Sequence, residues 1–370
     1  MATLPLRDAF TARAIGFNWG RYQATRGEAP YLGRSKFGTR KQRGLDLKYI
    51  TGKDGLPVSL KASNFDAQAE LRDAIGFSER QNSMPFFRES YMVTEQEEQD
   101  YDSYIGSASN EYANQVLARI MKKPLDLVRG AQVVPERMIW QLLAPTDGIP
   151  KVSVNIKGET FNIDYLTNTE ATEYTRKHFI DLTNNEAQNG WADAATATPL
   201  ADLRKIKRDF VKNDGYSLTR FSMNTETFEM LLNAEDTKKQ VLGITAYNGG
   251  ITVTETAVAQ YLRGMGVEIE TYDKVYKDEA GDTQYFIPTG IISAQSAGVY
   301  LGEFVFGTTP EERSGNQASG NLSIVETGIS IYTYTKEHPV NTHCVVSMIG
   351  LPTFEGIDAC ATIKVAKASV

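Results

Sequence analysis

Apolar positions along this chain change period several times, and each change marks an element. In TEQEEQDYDSYIGSASNEYANQVLARIMKKP, starting at Thr94, the residues Tyr101, Tyr104, Ile105, Tyr112, Val116, Leu117, Ile120 and Met121 recur at helical spacing. Thr94 and Glu97 form a T-x-x-E capping box. Glu95, Glu97, Glu98 and Asp100 fill the first turns, where the helix dipole favours anions. Lys122 and Lys123 sit at the far end and Pro124 follows, so the spacing predicts one long helix over about 94–122. A second, shorter helix is predicted over 135–144, with Pro135 near its first position. KVSVNIKGETFNIDYL, 151–166, alternates on both sides of Lys157-Gly158 and reads as a β-hairpin. PLADLRKIKRDFVKNDG, 199–215, predicts a helix with Leu200, Leu203, Ile206 and Phe210 on one face. Two more helices are predicted over 224–233 and 254–266. Then come strands in VEIETYDKVY and TQYFIP about a KDEAGD turn, and β-like runs GISIYTYT, THCVVSMIG and ACATIKVA beyond 324.

The first part of the chain has a different character. Residues 1–33 show no sustained period and are interrupted by Gly16, Gly20, Gly27, Pro30 and Gly33, which predicts an extended arm. Its arginines and aromatics, Phe10, Phe17, Trp19 and Tyr22 among them, call for a surface to cover them. LDLKYITGKDGLPVSLKAS reads as a hairpin turning at TGKDG, with too little apolar bulk to stand alone, so it should project and rest on a partner. Residues 307–323 read as a polar Gly- and Ser-rich loop. The irregular order of elements places the chain in the α+β class.

Composition narrows the function. The 370 residues are enough for two to three domains, and 41% hydrophobic with 23% charged is ordinary for a globular protein. No stretch is long and apolar enough for a membrane span, and the first twenty residues lack the apolar run of a secretory signal. Two cysteines, Cys344 and Cys360, are too few for a disulfide framework. There is no phosphate loop, no dinucleotide glycine motif and no C-x-x-C. His338, His343 and Cys344 form the one candidate metal cluster, but neighbours on a strand point to opposite faces and no fourth ligand is evident. No catalytic residue, cofactor site or metal site is assigned. Charge is the stronger signal. Residues 1–50 hold ten Lys or Arg against three acids, leaving −14 on the rest of a chain of net charge −7. Arg34, Lys36, Arg40, Lys41, Arg43 and Lys48 concentrate it in RSKFGTRKQRGLDLK. A basic stripe on an acidic body points to nucleic acid or to an acidic protein surface.

Read in order, these segments resemble a tailed-bacteriophage major capsid protein of the lambda gpE-like family, with the HK97 fold. MPFFRESYMVTEQEEQDY (84–101) and VPERMIWQLLA (134–144) carry the likeness. So do GWADAATATPLADL (190–203, with Trp191, Asp193, Pro199 and Asp202), IETYDKVYKDEAGDTQYFIPTGIISAQSAGVYLGEFVFGTTPEE (269–312) and HPVNTHCVVSMIGLPTFEGID (338–358). The resemblance implies an N-arm over 1–33, an E-loop over 34–83, a peripheral domain over 84–172 with the spine helix and the 151–166 hairpin, an axial domain over 173–323, and a return to the peripheral domain over 324–370. It implies a non-enzymatic virion protein, assembled in the host bacterial cytoplasm into hexamers and pentamers of an icosahedral shell around DNA. A separate scaffolding protein, a portal and decoration proteins are the implied partners. Lys48, Lys53 and Lys61 lie where some relatives form isopeptide links, but no crosslink is predicted. An encapsulin-type compartment, which a short first helix would mark, is the alternative within the fold. A virion tail or neck protein, or a soluble hydrolase with a scattered triad, lies outside it. In the capsid reading the stripe Arg34, Lys36, Arg40, Lys41, Arg43 and Lys48 docks on the acidic helix start of a neighbour, Glu95, Glu97, Glu98, Asp100 and Asp102. Contact of the same stripe with DNA is the competing expectation.

Overall fold

The computed structural model describes residues 10–26, 28–52, 77–105, 110–156, 159–183, 190–244, 253–314, 321–338 and 340–367. The chain opens with α1 (Ala12–Arg26), α2 (Leu32–Lys36), β1 (Gly38–Lys41), β2 (Asp46–Gly52), β3 (Phe77–Ser83) and β4 (Phe86–Val93). Next come α3 (Glu95–Ile105), α4 (Asn110–Leu143), β5 (Lys151–Ile156), β6 (Glu159–Asp164), α5 (Asn168–His178) and β7 (Phe179–Asp181). The middle holds α6 (Pro199–Asp214), β8 (Leu218–Met223), α7 (Thr225–Asn233), α8 (Glu235–Leu242), α9 (Glu255–Gly264), β9 (Glu268–Thr271), β10 (Val275–Lys277), β11 (Thr283–Tyr285) and β12 (Ile291–Ser296). The chain closes with β13 (Glu303–Phe306), α10 (Pro310–Arg313), β14 (Leu322–Val325), β15 (Ile329–Glu337), β16 (Val340–Pro352) and β17 (Cys360–Lys364). Two compact units result. The first contains Met1–Leu47, Gln81–Arg137 and Glu303–Thr353, the second Lys48–Arg80, Met138–Gly302 and Phe354–Val370.

The first unit is built on a mixed sheet in the order β1-β13-β16-β15-β14, with β4 also paired to β16. β16 runs antiparallel to β15, β13 and β4, while β1 lies parallel to β13 from Gly38↔Glu303 to Lys41↔Phe306. Phe304, Phe306, Ile331, Cys344, Val346 and Met348 are buried in it. Where the sequence predicted an extended arm, Ala12–Arg26 is a helix. Ala12, Ile15 and Trp19 are buried at helical spacing, and the Ala12 amide donates to Thr333 Oγ1 at 3.2 Å. One of the glycines that read as breakers, Gly16, packs closely instead. A Cβ at Gly16 would lie 2.5 Å from Ser323 Oγ, so α1 lies close enough to β14 that a larger residue would require that hydroxyl to turn away.

The long helix also departs from expectation. Pro124 was to end it and Pro135 to begin another, yet α4 runs unbroken through both. Each proline removes an amide donor and crowds the preceding turn, at a cost of roughly 3 kcal/mol. A buried stripe continuous through them offsets this: Ile120, Met121, Leu125, Val128, Gln132, Glu136, Ile139 and Trp140. The expected capping box is present at α3, where the Glu97 amide donates to Thr94 Oγ1 (3.3 Å) and the Thr94 amide to the Glu97 carboxylate (3.2 Å).

The second unit holds a five-stranded sheet in the order β7-β17-β12-β8-β9. Leu200, Leu203, Ile206 and Phe210 of α6 pack, as predicted, in one core with Phe228 and Leu231 of α7, Val258 and Leu262 of α9, and Phe221, Ile292 and Ile363 of the strands. Trp191 joins this core and donates its indole N–H to Asp202 at 3.0 Å, while Asp193 accepts from Ala195 and Thr196 in the adjacent turn. That geometry explains the spacing of Trp191, Asp193 and Asp202 noted in the sequence. The 151–166 hairpin is present as β5–β6, and the Gln141 side chain bonds both the amide and the carbonyl of Ser153. The compact units cut the chain differently from the expected domains. The hairpin groups with 138–302 and not with 84–137. The final segment divides at 353/354, because β17 pairs with β12 and β7 in the second unit. Helix α5, with its own Thr167–Glu170 capping box, and helix α8 were not anticipated.

Gly190 tests this packing. Its φ is +61°, and a Cβ there would lie 2.0 Å from the Val365 carbonyl oxygen. Gly190→Ala is expected to destabilise the free subunit by roughly 2 kcal/mol or more, read as a lowered denaturant midpoint.

Candidate assembly surface

Arg34 belongs to the one-turn α2, whose Gly33 and Arg34 amides both donate to the Glu136 carboxylate of α4, at 2.8 and 2.9 Å. Glu136 is fully buried, so this clamp satisfies two amide donors with one carboxylate. The Arg34 guanidinium reaches Glu326 at 3.2 Å. Arg40 pairs with Glu303 and Lys41 with Glu312, each at 2.8 Å, as β1 lies along β13. Glu312 sits on α10 beside Glu311, which takes Arg88 of β4 at 2.5 Å and the Ser347 hydroxyl of β16 at 2.8 Å. Ser330 of β15 donates to Glu312 at 3.0 Å. Helix α10 therefore ties strands β1, β4, β15 and β16 through two carboxylates that are less than a tenth exposed.

Most of the stripe is thus engaged by acids of its own chain, distant in sequence. The partners of Arg34, Arg40 and Lys41 are Glu326, Glu303 and Glu312, not the acids of 95–102. Lys36 is also engaged. Lys48 lies 3.6 Å from Glu79 on the β2–β3 ribbon, with both side chains exposed. Arg43 is exposed and makes no ion pair among the described residues. Residues 307–323 were expected to be loop only, but Pro310–Arg313 is helical. Thr309-Pro310-Glu311-Glu312 is the sequence signal: proline at the first helical position, then acids in the first turn.

The acidic helix start is likewise partly engaged. Glu97 accepts from Tyr91 Oη (2.8 Å) and from Lys123 Nζ (3.2 Å). Burial pushes its carboxyl up, but the bonds from Tyr91, Thr94 and Lys123 outweigh this and hold it below the usual range. Glu98 accepts from Thr342 Oγ1 at 3.1 Å. Glu95 has partners too, and Asp100 is exposed. Asp102 lies within α3, but its side chain falls outside the described residues. So do Lys53, Lys61 and the expected return strand LPVSLKA. The partner of β2 is β3, residues 77–83.

The ribbon is anchored at its base in the second unit. Tyr49 lies against Tyr165, ring centres 6.2 Å apart, and Arg80 pairs with Glu170 at 2.6 Å. His343 stacks on Tyr334 with centres 4.9 Å apart, while Cys344 is buried on the other face of β16. Among the described residues no group of three His, Cys, Asp or Glu is placed to hold a metal, and no helix is long and apolar enough to cross a membrane.

Glu136→Leu leaves two amides without an acceptor at a buried site and is expected to cost about 2–4 kcal/mol, with faster proteolysis within residues 26–36. Glu170 is held at about 2, chiefly by its bond from Arg80, against an ordinary 4.5. Its contribution is present above the unfolded value and lost as pH falls from about 4.5 through about 2. Acid unfolding curves of Glu170→Gln should lack that component, and should converge on those of the unaltered chain at the acid end.

The sequence over residues 28–365 matches the family model described as phage major capsid protein E. A search of curated protein sequences gives no match. Among solved structures, a phage-related protein from Bordetella bronchiseptica RB50 is similar at TM-score 0.53 and 11% identity, covering 95% of this chain and 98% of that one. A putative capsid protein of a prophage of E. coli CFT073 is similar at TM-score 0.52 and 12% identity, covering 98% and 96%. These likenesses give the fold, a mixed α+β HK97-like capsid fold. The helical α1 would by itself have favoured an encapsulin, so arm against helix is not the discriminating feature here. The family match discriminates, because it covers nearly the whole chain. The chain belongs to the phage major capsid protein E family, the non-enzymatic capsid proteins that form the icosahedral shell of the tailed-phage virion.

Proposed function

We propose that the subunit closes its shell as hexamers and pentamers, with the first compact unit acting as the peripheral domain and the second as the axial domain. In this reading residues 46–83 are the E-loop, reaching a neighbouring subunit. The observation that carries it is the β2–β3 ribbon, whose base is pinned by Tyr49–Tyr165 and Arg80–Glu170. A two-stranded ribbon is marginal alone, so anchoring at one end and a partner at the other is the economical arrangement. Arg43 and Lys48, with the outer faces of Arg34, Lys36, Arg40 and Lys41, meet the neighbour's Glu95, Glu97, Glu98, Asp100 and Asp102. Each exposed pair adds only about 0–1 kcal/mol. Repeated around closed rings, such pairs select register and orientation more than they supply affinity. A separate scaffolding protein, a portal, decoration proteins and the packaged DNA complete the proposed partners.

Replacing residues 53–76 by a short Gly-Ser turn is expected to leave the subunit folded, by circular dichroism, while electron microscopy finds no closed shells. Normal shells from that variant would remove the segment from the assembly mechanism.

A further inference from the structure

The second unit carries a basic helix face on α6 and an acidic hairpin tip on β10–β11. The edge strands of its sheet are β7 and β9. Ile206 and Phe210 of α6 line, with Ile180 and Leu182 beside β7, a groove whose charged lining is mixed, Lys177 and Lys205 with Asp202 and Asp209. Lys207, on another side of the helix, donates to the carbonyls of Met265 and Gly266 just before β9. On the solvent side α6 presents Arg204, Lys205, Arg208 and Lys212, all exposed, over about 12 Å of helix. Among the described residues little neutralises them. Arg204 donates to Tyr261 Oη, and Arg208 lies 3.6 Å from the adjacent Asp209. Lys177 pairs with Glu173, and Asp202 is held by Trp191. Neither Lys205 nor Lys212 makes an ion pair among the described residues.

From β9 the chain runs directly into the β10–β11 hairpin. One face of the hairpin is fixed to its own unit by the aromatic series Trp140, Tyr272, Phe286 and Tyr276. The other face presents Val275 and Tyr285, a cross-strand pair, both exposed. The tip carries Asp278, Glu279 and Asp282. Asp278 accepts the amides of Ala280 and Asp282, which shape the turn and keep that carboxylate ionised.

A ring of identical subunits needs a head-to-tail contact, made of two different and complementary patches on each copy. We infer that the β10–β11 hairpin of one copy docks against α6 of the next, its acidic tip on Arg204, Lys205, Arg208 and Lys212 and its Val275–Tyr285 face over the groove beside β7. Charge complementarity between the two patches selects a second copy as the occupant. The inference rests on the self-assembly of this family, and it adds the contact that sets the ring.

The test uses the full chain. Arg204→Glu/Arg208→Glu/Lys212→Glu and Glu279→Lys/Asp282→Lys each place like charges face to face, so each alone should abolish rings and shells in electron micrographs. The two sets combined should restore them. All of these residues are exposed, and unchanged circular dichroism of each variant verifies folding. Independently, Arg208→Cys with Asp282→Cys should give an oxidised ladder rising to the hexamer on a non-reducing gel, against a background of two buried native thiols. Normal assembly of both charge variants, or no ladder from assembled double-cysteine particles, would overturn the contact. Normal shells from the α6 variant with weakened, less salt-dependent binding of a DNA duplex would also overturn it, assigning the stripe to nucleic acid instead. An unaltered chain that forms no particles would count against the capsid reading itself, a result distinguishable from all of these.

Discussion

β16 is the strand on which the first compact unit depends. Its thirteen residues pair with β15 along one side and with β4 and then β13 along the other. Segments near residues 90, 305, 335 and 345 therefore meet on one strand that the chain forms late. Such pairing is slow to nucleate, because the closure entropy of long loops precedes any contact energy. Once formed, it gives α1, α2 and β1 a sheet to lie on, and these N-terminal elements have little apolar mass of their own.

Charge then fixes register on that sheet. Glu311 and Glu312 are largely buried on a helix of a single turn, yet each is met by a cation from a flanking strand and by a hydroxyl from a central one. Buried ion pairs seldom add much net stability, but losing one partner is costly, so they act as position markers. The same logic explains much of the basic stripe. In the observed register of α2 and β1, Arg34, Arg40 and Lys41 each meet a carboxylate.

Local periodicity made most of the second unit legible. α6, α7, α9, the β5–β6 and β10–β11 hairpins and the last strand all follow from spacing, caps and turn residues. Elements whose stability comes from distant partners were not legible. α1 reads as a broken arm until β14 is present to receive Gly16, and α4 reads as two helices until its buried stripe carries it through Pro124 and Pro135. The α+β class and the family were visible in the order of degenerate strings. The stripe was visible as charge, but its partners were not, because Glu303, Glu312 and Glu326 are ordinary surface-like acids in a one-dimensional view. The compact units cut the chain elsewhere than the expected domains for the same reason, since strand pairing as distant as Gly38 with Glu303 or Phe179 with Thr362 leaves no local mark.

Capsid proteins of this family bury part of their surface against copies of themselves. Electron cryomicroscopy of the full chain, expressed with and without the genes that flank it, tests this self-assembly most directly. Closed icosahedral particles, or free hexameric and pentameric rings, are the predicted result. A monodisperse monomer or dimer under every condition would contradict the account.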